Sequence, residues 1–266
     1  MPLRLKAGAA SDTGAHRAMN QDAAFTAPWG AAVADGVGGG PAGDLASAAF
    51  VHRLASGRME AWDAEQLAVS VRAANWDLRA HAERDPALHG MATTFTGLFV
   101  SRHERLLLAH TGDSRAYRLR GGVLTQQTRD DSYVQALVDR GLVAPEDAAS
   151  HPRRNVITAS LAGRERDGVV VLEPEAMPGD RWVLCSDGLS DYVPREDIAA
   201  VIAEHEDVAD AADAAVALAL RAGTRDNVTV VVCDVDVSER AFFPAPTAPA
   251  FYGAAAARFT EGLESA

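Results

Sequence analysis

The sequence predicts an α+β fold with mostly antiparallel sheet, and three observations carry that expectation. Short apolar, β-favouring runs recur along the chain, bounded by Gly, Asp or Pro. Helical spacing appears in two separate regions, around residues 45–78 and 195–222. Strands and helices come in groups, without the regular βαβ alternation of a parallel sheet.

The strand candidates are Ala31–Ala34, Thr93–Val100, Arg105–Ala109, Ala116–Leu119, Val169–Leu172, Trp182–Cys185 and Val228–Val235. The first helix places Leu45, Ala48, Ala49, His52 and Leu54 on one face. The second steps through Leu67, Val71, Ala74 and Leu78. Two more helices are expected at about 195–204 and 208–222. Between Thr128 and Leu161 the chain turns polar, with a short helical stretch near Val134–Val138, and reads as an insertion lying over the surface. The main domain therefore spans residues 1–237 and includes 128–161 as a flap-like insertion. Residues 238–266 form an Ala/Pro-rich tail with scattered aromatics, Phe242, Phe243, Phe251, Tyr252 and Phe259. That tail has two readings: disorder, or docking on the domain or on a partner.

Bulk properties narrow the function. The chain has 266 residues and a net charge of −12, which opposes general affinity for nucleic acid or anionic membranes. Cys185 and Cys233 each lie inside an apolar run and read as core thiols, with no zinc-ligand spacing. No apolar run is long enough to span a bilayer, and the N-terminal residues lack the apolar stretch of a signal peptide. A cytoplasmic monomer is expected.

The stretch "VADGVGGG" (33–40) ends an apolar run on Asp35 and passes into glycine. Asp113, Asp187 and Asp226 likewise stand where a predicted strand meets a loop. One such carboxylate is commonly a turn or cap residue. Four of them, brought together by strands of one core, would repel unless a cation sat among them. An oxygen-only donor set suits Mg²⁺ or Mn²⁺ and not zinc. At Gly36 no side chain blocks the approach of an ion to its carbonyl. The glycine run lacks the GK[ST] ending of a P-loop, so nucleotide triphosphate chemistry is not indicated.

The blocks "RAMNQD" (17–22), "VADGVGG" (33–39), "MATTFTGLFV" (91–100), "HTGDSRAY" (110–117), "CSDGLSD" (185–191) and "RDNVTVVV" (225–232) occur in that order. Together, over residues 3–236, they resemble the metal-dependent Ser/Thr protein phosphatases of the PPM, or type 2C, family. "HPRRN" (151–155) resembles its bacterial branch.

The resemblance implies a four-layer α-β-β-α sandwich, with two antiparallel sheets face to face and helices outside. It implies two tight Mn²⁺ or Mg²⁺ ions and a weaker third. Asp35 would bridge the two tight ions, and Gly36 would lend one of them its carbonyl. Asp187 and Asp226 would hold the second, and Asp113 with Asp187 the third. Asp22 would orient the water of the centre, and Arg17 would clamp the substrate phosphate. A planar guanidinium suits two phosphate oxygens at once.

The implied substrates are phosphoserine and phosphothreonine proteins, and the implied partner is a bacterial Ser/Thr kinase with its targets. Where some relatives carry a His after the DG pair, this chain has Val37, so the leaving oxygen must draw its proton elsewhere. His151 stands before Pro152 and reads as structural, as does His110 on its strand. Gln21 replaces an acid found in some relatives. Two rival functions stand beside this one: a small-molecule phosphohydrolase with the same chemistry, and a non-catalytic binding module. The complete Asp set opposes the second.

Overall fold

A computed structural model describes residues 3–37, 42–57, 62–237 and 248–257. Glycines 38–40 of the glycine-rich stretch, and the tail aromatics Phe242, Phe243 and Phe259, lie outside the described residues. The strands are β1 (Leu3–Asp12), β2 (Asp22–Ala27), β3 (Gly30–Val37), β4 (Ala92–Thr93), β5 (Phe95–Val100), β6 (Leu106–Thr111), β7 (Arg115–Arg120), β8 (Val123–Gln126), β9 (Val170–Leu172), β10 (Arg181–Cys185), β11 (Val228–Val237) and β12 (Ala250–Gly253). The helices are α1 (Gly43–Ala55), α2 (Ala64–Arg84), α3 (Tyr133–Asp139), α4 (Asp187–Ser190), α5 (Arg195–Glu204) and α6 (Val208–Arg221).

The strands form two sheets. One runs β1-β11-β10-β7-β8; the other runs β12-β2-β3-β5-β6-β9, with β4 paired beside β3. Every pairing between these strands is antiparallel.

Side-chain alternation along each strand dictates the layering. On β11, Val228, Val230 and Val232 face α5 and α6, while Val231, Cys233 and Val235 face the other sheet. On β10, Val183 and Cys185 go outward, and Trp182 and Leu184 inward. In the second sheet, Ala32 and Ala34 of β3 and Phe95 and Phe99 of β5 meet α1 and α2. Ala31, Val33 and Leu98 meet the opposing sheet. Three apolar layers thus separate four layers of secondary structure, and the α-β-β-α sandwich expected from the resemblance is the architecture observed. Each large side chain lost from water, such as Trp182, Phe50 or Phe95, contributes about 2–3 kcal/mol of burial.

The helices are set by local chemistry. α2 begins with a reciprocal cap, in which Asp63 accepts from the Gln66 amide and Gln66 accepts from the Asp63 amide. α6 begins on Asp207, whose carboxylate accepts from the Ala209 and Asp210 amides.

Part of the segment read as a tail lies within the fold. Residues 250–253 form β12 and pair with β2, with Phe251 opposite Phe25 and Tyr252 opposite Ala24. Cys185 and Cys233 are both buried and free, as core thiols. No helix among the described residues is long and apolar enough to cross a membrane.

Candidate metal centre

The strand registers bring the loop carboxylates to one end of the sandwich. Asp22 opens β2 and lies directly opposite Asp35 on β3. Asp113 sits in the turn between β6 and β7, where the chain passes from one sheet to the other. Cys185 ends β10 opposite Arg115 and Val230, so Asp187 emerges beside the starts of β7 and β11. Asp226 stands two residues before β11. Each sheet therefore supplies part of one carboxylate cluster.

The electrostatics record the crowding. Burial, then the charges of Asp22, Asp187, Asp113 and Asp226, holds the Asp35 carboxyl well above the usual range. Burial followed by Asp113, Asp191 and Asp226 does the same at Asp187. Burial first, then Asp130 and Asp191, pushes Asp113 up to about 7. Asp22 is only 1% exposed; burial lifts it to about 6 against the pull of hydrogen bonds from Ser186 and Thr229.

The cluster rests on a frame of hydroxyl and amide groups. Ser186 Oγ donates to Asp22 Oδ2 at 2.7 Å and accepts from the Thr229 amide at 3.0 Å. Thr94 Oγ1 accepts from the Asp35 amide at 3.0 Å and shares a 2.7 Å hydrogen bond with Ser114 Oγ. Asn227 fixes the neighbouring loop, donating to the carbonyls of Thr13 and Met19 and accepting from the Gln21 amide. None of these frame residues was singled out in the sequence. The signal was nevertheless there, because Thr94, Ser114, Ser186, Asn227 and Thr229 all fall inside the quoted blocks.

Two glycines next to cluster aspartates are needed for close approach. A Cβ on Gly36 would lie 2.3 Å from the Gly43 carbonyl oxygen, so the residue lets the start of α1 press against β3. This packing is a second reason for glycine there, beside access to its own carbonyl. A Cβ on Gly188 would lie 1.9 Å from the Asn227 carbonyl oxygen, which brings the Asp187 and Asp226 loops together.

Arg17 reaches the same place. Its Nη2 lies 2.6 Å from Asp226 Oδ2, and its Nε donates to the Arg225 carbonyl. The structure thus gathers Arg17, Asp22, Asp35, Gly36, Asp113, Asp187 and Asp226 at one end of the fold.

It also adds residues with no role in the sequence reading. Arg115 grips Asp130 through two nitrogens and stands 3.7 Å from Asp191. Arg154, from the insertion, stands 3.7 Å from the other oxygen of Asp191. Burial raises the Asp191 carboxyl, and both arginines oppose that rise.

His110 and His151 do not join the cluster. The His110 ring is held between Thr96 Oγ1 and the Arg129 carbonyl, and burial lowers its pKa. His151 Nδ1 accepts from the Arg153 amide, and its ring lies against Tyr133.

The donor set can be tested against a divalent cation. Asp113 Oδ1 and Asp187 Oδ1 are buried with no hydrogen-bond partner, an arrangement that costs about 1–3 kcal/mol or more per group unless something positive meets them. Among the described residues no three His, Cys, Asp or Glu side chains gather tightly enough to hold an ion by themselves. Unpartnered carboxylate oxygens with no Cys or His beside them suit Mg²⁺ or Mn²⁺, which keep several waters and take one or two carboxylates each. They do not suit a closed zinc cage. The residues fit hard divalent cations.

Carboxylates from two face-to-face sheets, poised for divalent ions beneath an arginine, define a metal-centred protein of the α-β-β-α sandwich class. The chain belongs to the protein phosphatase 2C family, whose model matches residues 14–221. It is similar to the serine/threonine protein phosphatase PstP of Mycobacterium tuberculosis, at 44% identity over 236 residues, which are 88% of this chain and 45% of that protein. The chain thus spans about half the length of that relative. It is 31% identical to the serine/threonine phosphatase stp of Listeria monocytogenes over 219 residues, 78% of this chain and 85% of that protein. The crystal structure of the PstP catalytic domain in complex with two manganese ions superposes with a TM-score of 0.78 at 42% identity, covering 88% of this chain and 100% of that one.

Proposed function

We propose that this chain hydrolyses phosphoserine and phosphothreonine on proteins with Mn²⁺ or Mg²⁺ as cofactor. The observation that carries the reading is the carboxylate cluster, with its two unpartnered buried oxygens on Asp113 and Asp187. Asp35, the Gly36 carbonyl, Asp187 and Asp226 would hold two ions, and Asp113 with Asp187 would hold a weaker third. When bound, the ions supply Lewis-acid neutralisation of phosphoryl oxygens and an acidified water to attack phosphorus.

The chain's own residues do the rest. Arg17 turns its guanidinium from Asp226 to the phosphate and binds two of its oxygens. Asp22, fixed by Ser186, accepts a hydrogen bond from the attacking water and orients it. Val37 has no proton to give, so the departing serine oxygen draws its proton through the Asp113 side of the cluster. The insertion 128–161 selects among phosphoproteins. Arg154 anchors it on Asp191 beside the cluster, and Arg153 lies over the Tyr133 ring of the same segment, which supports that reading.

The enzyme acts as a cytoplasmic monomer opposing a Ser/Thr kinase and its targets. The names of the relatives support the phosphoprotein substrate. The testing experiment is turnover of a phosphothreonine peptide with Mn²⁺ and after exhaustive chelation. Turnover only with the metal, and faster on the peptide than on nucleoside monophosphates, is expected. Full turnover without divalent ions would overturn the proposal.

A further inference from the structure

The described part of the C-terminal segment has no role in the reading above, and the family match ends at residue 221, well before it. Yet it is built into the molecule at a telling place. β12 pairs with β2 from Ala250 opposite Thr26 to Gly253 opposite Ala23, so the strand ends beside Asp22. Gly253 has φ +62°, and a Cβ there would lie 2.3 Å from the Asp22 carbonyl oxygen and 2.9 Å from Ser11 Oγ. Ser11 in turn shares a hydrogen bond with Thr229, whose amide donates to the hydroxyl that holds the Asp22 carboxylate.

The segment is anchored on both faces. Phe251 joins the layer beneath α1 and lies tilted against the His52 ring with centroids 4.1 Å apart, and His52 Nε2 lies 2.8 Å from the Ala255 carbonyl. Tyr252 joins the layer between the sheets. Ala254 and Ala255 are buried.

We infer that β12 is a positioning strand for the metal centre: it clamps the β2 backbone at Asp22 and thereby sets where that carboxylate stands. Without it, β2 becomes the edge of its sheet, and its first residue is held from one side only, by β3. Edge strands fray at their ends. A displaced Asp22 no longer meets Ser186 in register, and the groups around an ion respond to the loss of such support. This inference rests on the metal-site reading of the cluster.

The test uses the 266-residue chain and two variants. Gly253→Val drives a side chain into the Asp22 carbonyl at a backbone angle valine rarely adopts. Phe251→Asp puts a charge into the apolar layer beneath α1. Hydrogen exchange of residues 22–27 reports whether β2 has lost its neighbour, and calorimetric titration with MnCl₂ reports the centre. Exchange in α5 and α6, on the far side of the sandwich, reports whether the rest is folded.

The expected result is faster exchange in 22–27, unchanged protection in α5 and α6, and Mn²⁺ affinity weakened by about tenfold or more, the size seen when groups supporting a metal site are removed. A merely structural edge strand would change exchange and leave affinity alone. Parental Mn²⁺ affinity in a variant whose β2 has opened would overturn the inference. So would normal β2 protection in both variants, since Gly253 and Phe251 would then not hold the strand. Absence of Mn²⁺ binding in the parent is a different failure, of the site reading itself, and shows before any variant is compared.

Discussion

Arg17 Nη2 lies 2.6 Å from Asp226 Oδ2, so the cation expected at the phosphate is paired with an acid expected at a metal. The pair is partly open to solvent, with the arginine 42% and the aspartate 26% exposed. Its contribution to stability is therefore small, about 1 kcal/mol or less. Replacing Arg17 by Ala should leave the melting temperature nearly unchanged while kcat/KM on a phosphopeptide falls by about 10²-fold. Lys at this position should recover only part of the loss, because an ammonium cannot bind two oxygens in one plane. Equal losses in stability and turnover would show that the pair is structural.

Asp113 and Asp35 should separate on substitution. Asp35 feels all the other proposed ligands, so Asp35→Asn should lose metal affinity and turnover together. Asp113 answers to burial first, and then to Asp130 and Asp191 beside it. Asp113→Ala should keep two tight sites by calorimetry, yet lose about 10²-fold on a phosphoserine peptide. p-Nitrophenyl phosphate has a leaving group that needs no proton and should suffer less. Loss of both tight sites in Asp113→Ala, or a parental rate on the peptide, would refute the assignment.

Metal-free protein should lose stability as pH rises from about 4 to 7. Asp22 titrates at about 6 and Asp113 at about 7 when folded, against about 4 in an unfolded chain. Asp35 and Asp187 are raised as well. Between these limits the folded state binds more protons than the unfolded state, so the free energy of unfolding falls with pH. Saturating Mn²⁺ should flatten or reverse the slope, because the ion stabilises the charged carboxylates and binds the folded state. Melting temperatures at pH 5 and 7.5, in chelator and in Mn²⁺, check this. A chelated protein more stable at 7.5 than at 5 would contradict it.

The insertion should matter to proteins more than to small esters. Its ends are tied at the centre: the Asp131 amide donates to the Gly112 carbonyl, and Leu161 and Thr93 exchange backbone bonds. Its middle, around Leu142–Ser150, is largely exposed. Replacing 142–150 by a short Gly/Ser link should lower phosphoprotein turnover several-fold and leave p-nitrophenyl phosphate near the parental rate. Equal losses on both substrates would rule out selection by this segment.

How much of this was readable in the sequence follows from side-chain type. β10 and β11 are written in Val, Leu, Trp and Cys, which announce a buried strand. β1, "LRLKAGAASD", and β2, "DAAFTA", are Ala-rich, and Thr26 is their one β-branched residue. They are strands because valine-rich β11 and the core of the second sheet offer them partners, which only the tertiary fold supplies. β12 was hidden inside an Ala/Pro-rich stretch that reads as a tail. At the site, the aspartates stood out because a carboxylate after an apolar run is unusual. Ser186, Thr94 and Asn227 did not, because a hydroxyl or amide beside a turn is ordinary until its partner from another strand is known. Asp191 was quoted with its block, but its meaning came from Arg115 and Arg154, distant in sequence from it and from each other.

β1 pairs along its whole length with β11, from Leu3 opposite Val237 to Asp12 opposite Val228. During synthesis β1 must therefore wait for β11, more than two hundred residues later, before its partner exists. Asp226 arrives with that same late strand. A growing chain accordingly cannot assemble the ion-binding end of the sandwich, however long translation pauses upstream. Closure of so distant a pair is intrinsically slow, and the carboxylate cluster is complete only once β11 has been made.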